Sequence, residues 1–175
     1  MSLQPCACGA AEIPRESALF RLPEGFVRRY SGACPSCGRP REFTFRLLDE
    51  PPVAEPGGAR YGDGTPSELI DPGVWLAVAD QYARRTPGDA TGLDAAARRA
   101  ARKDIAWAAA AVDEVIAFIP RGGAAVPAGA FTSEAGRRIR DREPGRFGRA
   151  RLEAVRDTYR QIAAELADPQ PDRTT

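Results

Sequence analysis

Three segments near the N-terminus have strand-like patterns of apolar and polar residues, and together they predict a small sheet. The clearest alternation places Phe43, Phe45 and Leu47 on one face, with polar side chains between them. Residues 18–22 and 26–31 are also strand-like, and a Pro-Glu-Gly turn lies between them. The start of the chain is therefore predicted to form a three-stranded sheet.

From residue 66 onward, helix signals replace the strand pattern. Asp71-Pro72 combines an N-cap residue with proline at the first helical position. Ile105, Val112 and Ile116 share one stripe at helical spacing, which predicts a buried helix face. The predicted helical segments are a short turn opened by a capping box at 65–68, a helix from Pro72, a long helix opened by a box-like start at 91–94 and running to about Ile119, a helix over 133–142 and a last helix from Pro144.

These patterns divide the chain into four parts. Residues 1–48 carry the strands, and residues 49–65 form an acidic connector rich in proline and glycine. Residues 66–168 form the helices, and residues 169–175 form a disordered tail. The predicted fold class is α+β, with a small antiparallel sheet followed by a four- or five-helix bundle.

Composition narrows the functional classes. A formal net charge of +1 gives no global attraction to nucleic acid or to an anionic membrane. The longest apolar run, residues 105–112, is much shorter than the ~20 residues that span a bilayer. The first residues show no signal-peptide pattern. We therefore expect a cytoplasmic protein with no membrane partner, in a compartment where cysteines stay reduced.

Histidine is absent, which removes the commonest general base and the Ser-His and Cys-His catalytic arrangements. Lys103 is the single lysine of the chain. Carboxylate pairs remain, and such pairs can catalyse hydrolysis. On balance we expect a protein that is not an enzyme.

Four cysteines form two short clusters, Cys6-Ala-Cys8-Gly and Cys34-Pro-Ser-Cys37-Gly. Two thiolates from each turn would complete a tetrahedral zinc site, and the glycines allow the chain to reverse at the metal. Four cysteine ligands leave no open coordination position, so the predicted role of one zinc ion is structural. A redox or disulfide role, an iron site and a site without metal remain as alternatives.

With these two clusters and its strand pattern, the segment 1–48 resembles zinc ribbons, which implies a zinc-ribbon-like sheet. The whole chain is similar to small actinobacterial proteins that join such a ribbon to helices. The segments that carry this similarity are 66–76, 143–147 and 151–155. Proteins of this size and style are often immunity partners of secreted toxins, so the resemblance implies a binding role.

Charge is unevenly distributed, and this distribution offers two candidate interfaces. Residues 49–80 carry a net charge of −6 and residues 137–160 a net charge of +5. The two segments either neutralise each other or face different partners. The candidate residues for a basic protein partner are Glu55, Asp63, Glu68 and Asp71, and those for nucleic acid are Arg28, Arg29, Arg39, Arg149 and Arg156.

The sequence therefore predicts a non-enzymatic, zinc-containing protein-binding module. The most plausible form is an immunity protein or inhibitor of a cognate toxin with a basic domain. The alternative is a nucleic-acid-binding or regulatory protein of the zinc-ribbon type.

Overall fold

A computed structural model describes residues 6–10, 16–23, 25–47, 59–89 and 91–167. The chain divides into two compact units, Met1–Val53 and Ala54–Thr175. The strands lie in the first unit and the α-helices in the second, so the α+β class is confirmed. The predicted boundaries at residues 48, 65 and 168 remain predictions, and the predicted tail lies outside the described residues.

The first unit contains a three-stranded antiparallel sheet, as predicted. Its strands are β1 (Glu16–Leu22), β2 (Gly25–Ala33) and β3 (Pro40–Arg46), in the order β1-β2-β3. Phe20 lies opposite Val27, and Tyr30 lies opposite Phe43. Phe43 and the other apolar residues of its alternating set are half-buried, while Val27 is buried.

The second unit contains four α-helices within the described residues. They are α1 (Pro72–Ala83), α2 (Ala95–Ala117), α3 (Glu134–Arg142) and α4 (Arg149–Glu165). The first three begin at side-chain caps, because Asp71, Asp94 and Ser133 each accept a hydrogen bond from a backbone N–H three residues later. No helix among the described residues is long and apolar enough to cross a membrane.

Two predicted helix starts are wrong and a third is displaced. The long helix α2 begins at Ala95 with Asp94 as its N-cap, not at Thr91, because Gly92 has a left-handed φ of 81° that a helix cannot contain. The segment 65–68 is not helical, because short-range turns satisfy its backbone: Asp63 accepts from the Thr65 N–H at 2.9 Å, and the Ser67 hydroxyl accepts from the N–H of Ile70 at 3.2 Å. Pro144 begins a 3₁₀ turn (Pro144–Phe147) rather than the last helix, which starts at Arg149.

The reason for the later start of α4 lies in tertiary contacts around Phe147. This side chain is buried and packs edge-to-face on Phe131, with ring centroids 4.8 Å apart. The Phe147 carbonyl accepts a hydrogen bond from the Val126 N–H at 3.1 Å, and the Arg149 N–H donates one to the Ala124 carbonyl at 2.8 Å. These contacts hold the backbone at Gly148 extended, so a helix cannot run through it.

The core of the second unit is built around α2, which contacts both α1 and α4. A run of four alanines, 108–111, is buried on α2, and small side chains let neighbouring helices approach closely. The main buried cluster is composed of Trp75, Leu76 and Ala79 from α1, Ala111, Val112 and Val115 from α2, Leu152 from α4, and the connecting residues Ile119, Val126, Phe131 and Phe147.

Candidate metal centre

Cys6 and Cys8 lie in a tight turn that closes with backbone hydrogen bonds. The Cys6 N–H donates to the Ala10 carbonyl at 2.8 Å, and the Gly9 N–H donates to the Cys6 carbonyl at 2.7 Å. Gly9 adopts a φ of 87°, which is in the left-handed region. Only glycine enters this region without strain, so the glycine after the second cysteine is a requirement of the turn.

Cys34 and Cys37 repeat this arrangement between β2 and β3. The Cys34 N–H donates to the Arg39 carbonyl at 2.8 Å, and the Gly38 N–H donates to the Cys34 carbonyl at 2.8 Å. Gly38 has a φ of 71°. In both turns, the N–H of the first cysteine donates to the carbonyl of the residue that follows the glycine. The two turns therefore have the same hydrogen-bonding pattern around their thiols.

The four sulfur atoms form one cluster, with all Sγ atoms within 4.8 Å of one another. Cys6 Sγ lies 3.7 Å from Cys37 Sγ, and Cys8 Sγ lies 3.7 Å from Cys34 Sγ. A tetrahedron with Zn–S bonds of about 2.3 Å has edges of about 3.8 Å, whereas a disulfide needs about 2.05 Å. The spacing therefore matches tetrahedral metal coordination, and all four thiols are free.

The thiols perturb one another's ionisation. The pKa of Cys6 is lowered to about 6, first by the Cys8 backbone N–H and then by hydrogen bonds from the other thiols. The pKa of Cys37 is raised to about 11: the Arg39 backbone N–H favours its thiolate, but hydrogen bonds with the three other thiols outweigh that contact. The protein alone thus stabilises negative charge on part of the cluster. A bound cation would stabilise thiolates at all four positions.

The chemistry of this centre follows from its ligand set. Four sulfur ligands in tetrahedral positions suit one zinc or iron ion, and they leave no position open for water or substrate. Cys6 and Cys34 are buried, while Cys8 and Cys37 reach the surface. Cys6, Cys8, Cys34 and Cys37 could therefore hold one metal ion.

The predicted acidic residues do not form one surface. Asp63 and Glu68 are exposed, and Glu55 lies outside the described residues. Asp71 is only 4% exposed. Its Oδ1 accepts from the Val74 N–H at 3.0 Å and its Oδ2 from the Ser133 N–H at 2.7 Å, so this carboxylate is used inside the fold.

The predicted arginines divide between the two units. Arg28, Arg29 and Arg39 are exposed in the first unit. Arg149 donates to the carbonyl oxygens of Gly123 and Pro120, near the C-terminal end of α2, at 2.8 and 3.1 Å.

Ion pairs also occupy part of the basic segment 137–160. The Arg156 guanidinium lies 2.8 Å from the Asp157 carboxylate and 3.7 Å from that of Asp113. Arg146 makes a bidentate pair with Asp80, with N···O distances of 2.9 and 2.5 Å. This pair joins the acidic segment to the basic one, so the two segments partly neutralise each other inside the second unit.

Two further features carry functional groups that the pattern analysis did not identify. One is a set of exposed large apolar side chains: Leu19, Phe20, Leu22, Phe26 and Leu69. The other is a buried carboxylate, Glu114, on α2 just after the run of buried alanines. The position of Glu114 inside an apolar run was a sequence signal for the buried carboxylate. The exposure of single apolar residues cannot be predicted from the sequence.

No known family model, curated protein or solved structure matches the chain.

Proposed function

We propose that the four cysteines hold one zinc ion that stabilises the first unit. The observation that carries this proposal is the 3.7 Å spacing of the paired sulfurs, which fits a tetrahedral zinc site. The small core of the unit also supports it. Among its described residues, the buried hydrophobic side chains are Cys6, Val27 and Cys34. Such a core is too small to fold a domain without a cross-link or a metal.

Elemental analysis of protein purified without added metal tests this proposal. We expect one zinc per chain, and we expect the variant with Cys34→Ser and Cys37→Ser to lose it. The matched control, Ser31→Ala with Ser36→Ala, alters two residues near the same turn without removing a thiol and should keep the metal. Iron in place of zinc, or a metal-free protein with disulfides, would contradict the proposal.

We further propose that the protein is a binding module for another protein, in the manner of an immunity protein or a toxin inhibitor. The observation that supports this is Leu69, the most exposed of the large apolar side chains at 61%. It follows the exposed carboxylate of Glu68, and Asp63 is exposed in the same segment. An apolar contact beside carboxylates suits a basic protein surface.

Local side-chain hydrogen bonds also brace this segment, residues 63–70. Asp63 accepts hydrogen bonds from both the N–H and the hydroxyl of Thr65, at 2.9 and 2.6 Å. The Ser67 hydroxyl accepts from the N–H groups of Leu69 and Ile70, at 3.3 and 3.2 Å. A loop that is ordered in advance loses less conformational entropy on binding, which favours affinity.

Nucleic-acid binding is the second candidate, and the exposed arginines of the sheet favour it. Arg28, Arg29 and Arg39 could contact phosphates. However, the Arg29 guanidinium lies over the Phe20 ring, 4.8 Å from its centroid. This guanidinium covers a ring face on which a base would stack. The exposed leucines of the sheet also suit a protein contact better than a nucleobase.

A pull-down from the native host, run beside a gel shift, separates the two candidates. We expect one copurifying protein, which the double variant Glu68→Lys, Leu69→Ser loses and the control variant Arg28→Gln, Arg29→Gln retains. For nucleic acid the roles of the two variants would be reversed, and log affinity would fall with log salt with a slope of about −0.9 per neutralised phosphate. Retardation of nucleic acid at low salt, without a copurifying protein, would contradict the protein-partner proposal.

This proposal also places the protein in the cytoplasm, where the four thiols would remain reduced and available to a metal. It assigns no catalytic role to the chain. That expectation still rests on the absence of histidine and on the closed cysteine set.

A further inference from the structure

The second unit contains a cavity of about 390 Å³ between the loop 59–64 and helices α2 and α4. This volume falls within the range of sites for small organic ligands. Ala110, Ile116 and Ala117 form apolar walls, and the Tyr61 ring lies on the loop side. Trp75 and Trp107 pack against that ring, with centroids 4.8 and 4.7 Å away, so this side of the cavity is rigid.

The carboxylate of Glu114 lines the cavity and is the most buried charged group there, since this residue is 6% exposed. Its Oε1 accepts one hydrogen bond, from the Gly62 N–H at 2.9 Å. A carboxylate offers about four lone-pair positions, so it can accept further donors from a ligand. A Cβ atom at Gly62 would lie 3.0 Å from Oε1, and glycine therefore permits this close approach.

Nearby carboxylates make the electrostatic environment of Glu114 negative, although two arginines lie close to it. Burial raises the pKa of Glu114, the Gly62 N–H opposes that shift, and the charges of Asp113 and Asp63 add to it. The two nearest arginines already have protein partners, but each guanidinium has five N–H donors and keeps some for a ligand. Arg60 Nε donates to the Gly62 carbonyl at 2.7 Å, and Arg160 donates to Asp113 at 2.8 Å.

The charges of the cavity are arranged by depth. Glu114 is buried, whereas Arg60 is exposed and the ion pair of Arg160 with Asp113 is partly exposed, so the buried charge is negative and the mouth carries a net positive charge. The walls beside the carboxylate are apolar. A guanidinium is planar and weakly hydrated, and it pairs with a carboxylate through two hydrogen bonds, so it suits this interior better than an ammonium group.

We propose that this cavity binds a small arginine-like amino acid, with its guanidinium on Glu114 and its carboxylate at the mouth beside Arg60 and Arg160. The inference is independent of the partner-binding role, because it uses the interior of the second unit rather than segment 63–70. It also gives a reason for the burial of Glu114, since a carboxylate with one neutral hydrogen-bond donor is costly to keep inside a protein.

Calorimetric titration of the full chain with three related compounds tests the proposal without any variant. L-Arginine carries both the guanidinium and the carboxylate, agmatine lacks the carboxylate but keeps the amino group, and citrulline has a neutral urea in place of the guanidinium. We expect saturable binding of arginine with a dissociation constant on the order of 1 mM or lower, and binding at least about tenfold weaker for each of the other two. Equal binding of agmatine, or no saturable binding of arginine, would overturn the proposal.

Two variants then locate the site. Glu114→Gln keeps an oxygen for the Gly62 N–H and should weaken arginine about tenfold or more. Arg160→Gln should weaken arginine but not agmatine, because agmatine has no carboxylate for an arginine at the mouth to bind. The control Glu134→Gln alters an exposed glutamate on α3 and should bind like the unaltered protein. Unchanged arginine binding by folded Glu114→Gln would overturn the assignment to this cavity.

Discussion

At the scale of single residues, the metal centre depends on backbone conformation as much as on its thiols. Gly9 and Gly38 both have positive φ values, and a Cβ atom at either position would meet open space. A larger side chain at either position would therefore have room. It would still be unfavourable, because the backbone there has a positive φ. The left-handed conformation costs an ordinary residue about 1–2 kcal/mol.

Gly38→Ala is accordingly expected to weaken zinc binding about tenfold, since the strain of the turn opposes the closed site. Competition with a chromophoric chelator measures the affinity. Gly88→Ala is the matched control, because Gly88 also faces open space but is not among the glycines with positive φ. Equal affinities for the two variants would show that the turn conformation is not required.

The buried charge of Glu114 should lower the stability of the folded second unit. Because burial raises its pKa, the folded protein holds this proton more tightly than the unfolded chain does. The destabilisation is therefore full above the folded-state pKa and disappears as pH falls through that value towards the ordinary value of 4.5.

We expect Glu114→Gln to be more stable than the unaltered protein at neutral pH, with a difference that shrinks as the pH falls towards 4.5. Urea unfolding followed by helix circular dichroism measures this at several pH values. Asp113 also has a raised pKa, but it is present in both proteins, so its effect on the difference in stability should largely cancel. Glu134→Gln, at an exposed position, should show no such trend. A Glu114→Gln variant that is less stable at neutral pH would contradict the argument.

At the scale of elements, Asp71 connects the starts of two helices. One carboxylate oxygen caps α1, and the other accepts from Ser133, which is itself the cap of α3. Gly136 leaves room for this carboxylate, because a Cβ atom there would overlap it. Gly73 likewise permits close approach of α1 and α3, since a Cβ atom at Gly73 would lie 2.5 Å from the Gly136 backbone.

Asp71→Ala should therefore destabilise the second unit by about 2–4 kcal/mol, the sum of a lost cap and a buried N–H left without a partner. Asp94→Ala is the natural comparison, because Asp94 makes one exposed capping bond, to the Ala97 N–H at 2.7 Å. Its expected cost is about 1 kcal/mol. Thermal unfolding of both variants checks the difference, and similar costs would mean that the link to Ser133 contributes little.

At the scale of the whole molecule, the two units differ in what stabilises them. The second unit has a continuous apolar core that involves α1, α2 and α4. The described part of the first unit has few buried apolar side chains beyond its cysteines. Metal binding at structural sites contributes roughly 10–16 kcal/mol at neutral pH, which is more than such a core can provide.

Removal of the metal with a strong chelator should therefore unfold the sheet and leave the helices folded. In NMR spectra, we expect the amide signals of residues 16–47 to collapse towards random-coil positions while those of 72–165 keep their dispersion. Added zinc should restore the original spectrum. A sheet that persists without metal, or helices that unfold together with it, would contradict the separate stabilisation of the two units.

The sequence by itself determined the local features. Period-two alternation located the third strand, and a turn signal between two strand-like segments located the other two. Asp71 and Ser133 marked two helix starts, and the two cysteine clusters identified the four thiols that the structure brings together. These features follow from interactions among near neighbours in the chain, so a short window of sequence contains their cause.

Tertiary structure decided the remaining features, because their causes are distant in sequence. Helix α4 begins at Arg149 rather than at the predicted Pro144, because the backbone around Phe147 forms hydrogen bonds with residues 124–126. Asp71, predicted to face a partner, became buried because it also bonds to Ser133, 62 positions away. The cavity at Glu114 exists because the loop 59–64 lies against α2. Charge, capping and turn signals show what a residue can do, but the packing of distant segments determines which of those roles it takes.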